Sequence, residues 1–136
     1  MPRGRETIVT SDAPRPIGPY SQAVRVGDLL FTSGQIGLPP TDARLVEGGA
    51  SAEARQVLEN LRAILAAAGA SLADVVKTTV YVTDLRDFAE VNRVYATFFP
   101  GDAPARSTVQ VAALPLGARV EIEAIAALPA HEGSPP

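Results

Sequence analysis

No cysteine occurs among the 136 residues, which rules out disulfides, thiolate nucleophiles and zinc–thiolate sites. Histidine is almost as scarce. The single one is His131, in the terminal run Ala130-His131-Glu132-Gly133-Ser134-Pro135-Pro136. Glycine, proline and small polar residues there cannot repay the entropy of ordering, so residues 129–136 read as a disordered tail. A Ser-His-Asp triad or a histidine-based metal site is therefore not expected, and no metal ligands are assigned. Basic charge is also short. Lys+Arg number 12 against 15 Asp+Glu, a net charge of -3. That balance argues against nucleic acid as a partner, and no basic amphipathic segment suits an anionic membrane. No apolar run is long enough to span a bilayer. Met1-Pro2-Arg3-Gly4-Arg5-Glu6 lacks the apolar core of a signal peptide, so a cytoplasmic location is expected. Any chemistry is left to Arg, Glu/Asp, Tyr, Ser/Thr, Asn, backbone amides and water.

What is present reads as one domain over residues 1–128, with 46% hydrophobic and 20% charged residues. Glu6 to Thr10 is a short candidate strand. Ala23 to Val26 and Leu29 to Ser33 flank Gly27-Asp28 as a hairpin. Val57, Leu58, Leu61, Ile64, Leu65 and Ala68 form an apolar stripe at helical spacing; Ser51 is the expected cap and Gly69 the stop. Ser71-Leu72-Ala73-Asp74 is a capped turn before a β-branched strand, Val75 to Thr83. Asp84 to Phe99 predicts a second helix with Phe88, Val91, Tyr95 and Phe98 on its buried side. Arg106 to Ala112 and Arg119 to Ala127 are the last strands. The order ββ-α-β-α-ββ predicts an α+β domain with two helices packed on one face of a sheet.

Two strands plant charge among apolar or small residues: Pro104-Ala105-Arg106-Ser107-Thr108-Val109 and Val120-Glu121-Ile122-Glu123-Ala124. Paired as a hairpin, they would bring a guanidinium and carboxylates to one face. Arg106 would clamp a substrate carboxylate with its planar fork, while a glutamate moves a proton or orients water. Alternation places Arg106, Thr108 and Gln110 on one face and Arg119, Glu121 and Glu123 together on theirs. That polar face also receives Phe31 or Leu30 and several valines, making a half-apolar, half-charged surface fit for self-association. An ordinary ion pair on a solvated strand face is the plainer alternative.

Six segments together resemble the RidA (YjgF-like) family of reactive-intermediate imine deaminases. They are Ile17-Gly18-Pro19-Tyr20-Ser21-Gln22-Ala23, Thr32-Ser33-Gly34-Gln35-Ile36, Val76 to Val82, Phe88-Ala89-Glu90-Val91-Asn92, Pro104-Ala105-Arg106-Ser107 and Val120 to Ala126. The resemblance implies a chorismate-mutase-like mixed sheet and a homotrimer with active sites between subunits. It implies hydrolysis of 2-imino or enamine acids such as 2-aminoacrylate and 2-iminobutanoate to 2-oxo acids and ammonia, with no cofactor. By the same resemblance Arg106 binds the substrate carboxylate and Glu121 positions water and passes protons. Tyr20, Ser33, Gly34, Asn92 and Thr108 line the substrate, Thr108 through its backbone at a position often held by cysteine in the family. Glu123 is expected to be an interfacial ion-pair partner. The stretch from Phe99 to Pro104 is shorter than in some members, which bears on the pocket rim. Two alternatives stand beside the enzyme: a metabolite-binding or chaperone-like trimer using the Arg106 pocket, and a ribonuclease. An acidic chain without a basic, aromatic-lined groove disfavours the ribonuclease.

Overall fold

Apolar residues at every second position of Val120–Ala127 direct that strand to the centre of the sheet. Val120, Ile122, Ala124 and Ala126 are all buried, while Glu121, Glu123 and Ile125 between them point the other way. The computed structural model describes residues 4–129. Its strands are β1 (Arg5–Ile8), β2 (Ala23–Val26), β3 (Leu29–Thr32), β4 (Val75–Val82), β5 (Ala105–Gln110) and β6 (Val120–Ala127), with helices α1 (Gly49–Ala67) and α2 (Phe88–Phe98). The six strands form one sheet in the order β1-β2-β3-β6-β4-β5; β4 and β5 are parallel and every other pair is antiparallel. Both helices cover one face. Leu58, Leu61, Ile64 and Leu65 of α1 meet Leu30, Val80 and Ile122 of the sheet, each at most 1% exposed. Burying such a side chain is worth about 1.5–3 kcal/mol, so this layer is the main source of stability.

The expected β2–β3 hairpin, the turn at Ser71–Asp74 and the β4 strand form as the sequence indicates. The stop of α1 also stands: Gly69, at φ +78, donates its N–H to the Ala66 carbonyl. Its start differs. The N-cap is Gly48, with no side-chain cap, so Ser51 lies inside the first turn rather than before it. The second helix opens with a 3-10 turn, Leu85–Asp87, capped by the Asp84 side chain accepting from Arg86 N–H at 2.9 Å; α2 begins at Phe88.

The larger correction concerns the last two strands. β5 and β6 are not a hairpin: each pairs with β4, from opposite sides. The α2 crossover returns β5 parallel to β4, and its polar sequence, Ala-Arg-Ser-Thr-Val-Gln, suits a sheet edge. β6, apolar on one face along its length, takes the slot between β3 and β4. Register then sorts the faces. Thr78 lies opposite both Arg106 and Ala124, and Val80 opposite both Thr108 and Ile122. Arg106 and Thr108 therefore sit on the helix side. Tyr81 lies opposite both Val109 and Glu121, on the uncovered side. The uncovered face also carries Val24, Val26, Leu29, Phe31 and Ile125, with Leu29 43% and Phe31 42% exposed. Leu30 is in the core. The mixed apolar and charged face exists as expected, but without Arg106.

Beyond Pro129, the predicted tail with His131 lies outside the described residues. No helix among the described residues is long and apolar enough to cross a membrane. Ile122 is 0% exposed at the middle of the central strand, so Ile122→Ala should cost about 2–5 kcal/mol of unfolding free energy, read from urea denaturation.

Candidate functional site

Where β3 ends, its chain leaves the regular ladder and passes over β6. The last regular pair is Phe31 with Ile125, and pairing resumes where Gln35 meets Ile122. Between them Thr32, Ser33 and Gly34 face only Glu123 and Ala124, an extra residue that bulges the chain outward. Thr32 Oγ1 repairs the gap by accepting the Ala124 N–H at 3.0 Å. Gly34 is thereby laid against the Glu121 carboxylate so closely that a Cβ there would collide with it. Only glycine fits.

A second segment closes the other side. Gln22 is 3% exposed and spends its whole amide on the loop before it. Its Nε2 donates to the carbonyls of Thr10, Ala13 and Pro14, and its Oε1 accepts the Thr10 N–H at 2.8 Å. The Tyr20 hydroxyl accepts from Ile17 N–H at 3.2 Å, and Ser33 Oγ donates to the Ser21 carbonyl. The wall on the α1 side is held in the same way. Asn60, 0% exposed, donates to the Leu38 carbonyl at 2.8 Å, and buried Glu53 accepts the Arg119 N–H at 2.8 Å. These supports enclose a cavity of about 300 Å³ bordered by Tyr20, Ser33, Gly34, Gln35, Pro115 and Glu121. Glu121 is partly buried, and its pKa is raised, chiefly by desolvation and then by the like charge of Glu123.

Arg106 stands elsewhere. On the helix side of edge strand β5, its guanidinium lies over the Tyr95 ring at 4.7 Å and the Phe88 ring at 5.6 Å. Its Nη2 donates to Asn92 Oδ1 at 2.7 Å, and Tyr95 is itself anchored by a 2.7 Å bond to Thr78. The result is a cation fixed on an aromatic platform, with donors left over for an anion.

The sequence-predicted residues thus fall into two groups. Tyr20, Ser33, Gly34 and Glu121 surround one cavity; Asn92, Arg106 and Thr108 form a second patch. Arg106 and Glu121 do not share a face: they are two strand spacings apart, roughly 9–10 Å across the sheet, and point to opposite sides. Sequence reasoning assigned Phe88 and Tyr95 only to a buried helix side. Their spacing with Asn92, at i, i+4 and i+7, already places all three on one face of α2. Gln22 appeared only within a motif; its role as a clamp had no periodic signal.

Comparison with known proteins finds relatives of the same fold along nearly the whole chain. A family model described as Endoribonuclease L-PSP matches residues 10–128. The mouse protein named 2-iminobutanoate/2-iminopropanoate deaminase is 56% identical over 122 residues, covering 90% of each chain. The human protein of the same name is 52% identical, covering 90% of this chain and 89% of its own. Among solved structures, RidA from the Antarctic bacterium Psychrobacter sp. PAMC 21119 superposes with a TM-score of 0.88 at 51% identity, covering 90% of this chain and 99% of that one. TdcF from E. coli with bound serine gives a TM-score of 0.86 at 47% identity, covering 90% and 98%.

A carboxyl whose pKa is higher in the folded than in the unfolded chain binds its proton more tightly when folded. Its contribution to stability is full below the ordinary carboxylate range and is lost as pH rises through the raised value. In a carbon-13 NMR titration the Glu121 carboxyl should titrate above the usual glutamate range, and Glu123→Gln should move it back down. Gly34→Ala should leave the fold intact but displace the Glu121 carboxylate, visible as a change in that same titration.

Proposed function

The chain belongs to the Endoribonuclease L-PSP family, which includes the YjgF and RidA proteins, and we propose on that footing that it is a hydrolytic deaminase of reactive 2-imino acids. Its substrates are 2-iminobutanoate and 2-iminopropanoate, the latter in equilibrium with 2-aminoacrylate. Three relatives that are 52–56% identical over 90% of the chain carry the name of this activity. The observation that carries the reading is that one chain presents, on two separate patches, a platform-held guanidinium and a partly desolvated carboxylate.

The division into two patches supports a homotrimer in which Arg106, Asn92 and Thr108 of one subunit face Tyr20, Ser33, Gly34 and Glu121 of the next. A cyclic assembly applies the same two surfaces at every interface, and the uncovered sheet face supplies the apolar area for it. Arg106 holds the substrate carboxylate through paired N–H donors, fixing C2 of the imine near Glu121. Glu121 accepts a proton from water as the oxygen attacks C2, forming a tetrahedral carbinolamine. It returns that proton to nitrogen and then carries the carbinolamine's hydroxyl proton to the same nitrogen; the C=O bond forms as the C–N bond breaks, and ammonia and a 2-oxo acid leave. One water is consumed and no electrons change hands. A carboxyl with a raised pKa suits this shuttle because it takes the proton of the attacking water more readily than an ordinary carboxylate does. A ribonuclease reading is disfavoured by the paired negative charge of Glu121 and Glu123, which repels a phosphodiester backbone. A pure metabolite-binding trimer would retain the Arg106 contacts yet release no ammonia.

Arg106→Ala and Arg106→Lys should both lose most imine hydrolysis, measured as ammonia release coupled to a threonine dehydratase, because an ammonium lacks the fork. Glu121→Gln should keep 2-oxobutanoate binding while turnover falls by about 10²–10⁴-fold. Unfolding and refolding Arg106→Ala together with Glu121→Gln should restore about one site in four, since each shared site needs one intact residue from each neighbour. No recovery on mixing would mean that the site lies within one chain.

A further inference from the structure

The cavity against β6 has two unlike ends. At its inner end is the Glu121 carboxylate beneath Gly34. Its outer margin includes Arg15, in the loop that Gln22 ties down through the carbonyls of Thr10, Ala13 and Pro14. Arg15 is exposed, and among the described residues its guanidinium is in no ion pair. Arg15 is exposed whereas Glu121 is partly buried, so the cation stands at the mouth of the cavity and the carboxylate deeper within it. The lining includes the apolar side chains of Pro14, Pro16, Ile17 and Leu38 beside the polar Gln22, Ser33 and Gln35. The volume, about 300 Å³, is the share of about ten liquid waters, which leaves room beyond a short imine at the Glu121 end.

We propose that Arg15 is a specificity-determining residue that receives a second carboxylate, so that the pocket accepts imines of dicarboxylic 2-amino acids. This rests on the deaminase reading. In it, Arg106 of the neighbouring subunit holds the C1 carboxylate, Glu121 serves C2, and Arg15 meets the end of the substrate's side chain. The guanidinium fork matches a carboxylate in two parallel hydrogen bonds. The apolar side chains of the lining contact the intervening methylenes. The reaction itself is unchanged: water adds at C2, and ammonia leaves.

The test compares 2-iminoglutarate with the uncharged 2-iminopentanoate of equal chain length. An amino-acid oxidase generates each in place from glutamate or norvaline, and hydrolysis is followed in competition with semicarbazide trapping. The wild-type protein should favour the charged imine by about tenfold in kcat/KM; Arg15→Gln should bring the ratio to near one, and Arg15→Glu should invert it. Added salt should weaken the wild-type preference. A wild-type preference for 2-iminopentanoate, or a ratio unmoved by both substitutions, overturns the proposal. If the wild-type protein hydrolyses 2-iminobutanoate but neither of these imines, the proposal is overturned; if it hydrolyses none of the three, the deaminase reading fails. The ligand class is then decided by calorimetric binding of 2-oxoglutarate against 2-oxopentanoate, where a ratio independent of Arg15 overturns it and a ratio lost in Arg15→Glu sustains it.

Discussion

One strand has to satisfy two opposing demands. β6 presents Val120, Ile122, Ala124 and Ala126 to the helices and Glu121 and Glu123 to the other side. Because the side-chain period of a strand is two, a slip by one residue would bury both carboxylates and expose the apolar row. Burial of the apolar row therefore locks the position of Glu121 to within one register. β3 and β4 flank β6, so the neighbours that matter to Glu121 are fixed by the same pairing: Tyr81 directly opposite on one side, the bulged Thr32–Gly34 segment on the other. The energy that builds the core also aims the acid.

The loops around the cavity depend on a different device. Gln22, Asn60 and Glu53 are polar side chains placed in the interior, and each satisfies backbone groups of a loop rather than another side chain's charge. A buried amide left without partners costs about 1–3 kcal/mol, so a loop that supplies those partners is held tightly. Such loops are rigid without regular secondary structure, which is what a binding wall needs. The close approach of Gly34 to Glu121 adds a steric limit: the chain passes there because no side chain is in the way.

In the proposed reaction a chain without cysteine leaves the chemistry to a guanidinium and a carboxyl. Both are tuned by their surroundings. Aromatic rings and Asn92 hold Arg106 in one orientation, and desolvation with Glu123 lifts Glu121 toward the range in which it can trade protons. Sharing a proposed site between subunits has a further consequence. Neither group meets the other in an isolated chain, so in this reading the site is complete only on assembly.

Local pattern determined a good deal on its own. The β2–β3 hairpin follows from alternation around Gly27-Asp28, the α1 stripe from the 3.6 period ending at Gly69, and the β4 strand from its β-branched run. Spacing was also enough to put Glu121 and Glu123 on one face of β6. The partner of each strand was not legible, because a strand's sequence records which of its faces is buried but not which neighbour it bonds. Alternation alone could not show that β5 pairs in parallel with β4 instead of with β6, and that one choice moved Arg106 to the face opposite Glu121. Likewise, Gln22 and Asn60 are unremarkable polar letters until the chain returns a loop to each of them. Periodicity is a property of neighbours along the chain, and so the sequence determined the elements and their faces. Strand order and the partners of buried polar groups depend on contacts between distant segments, and only the tertiary structure decided them.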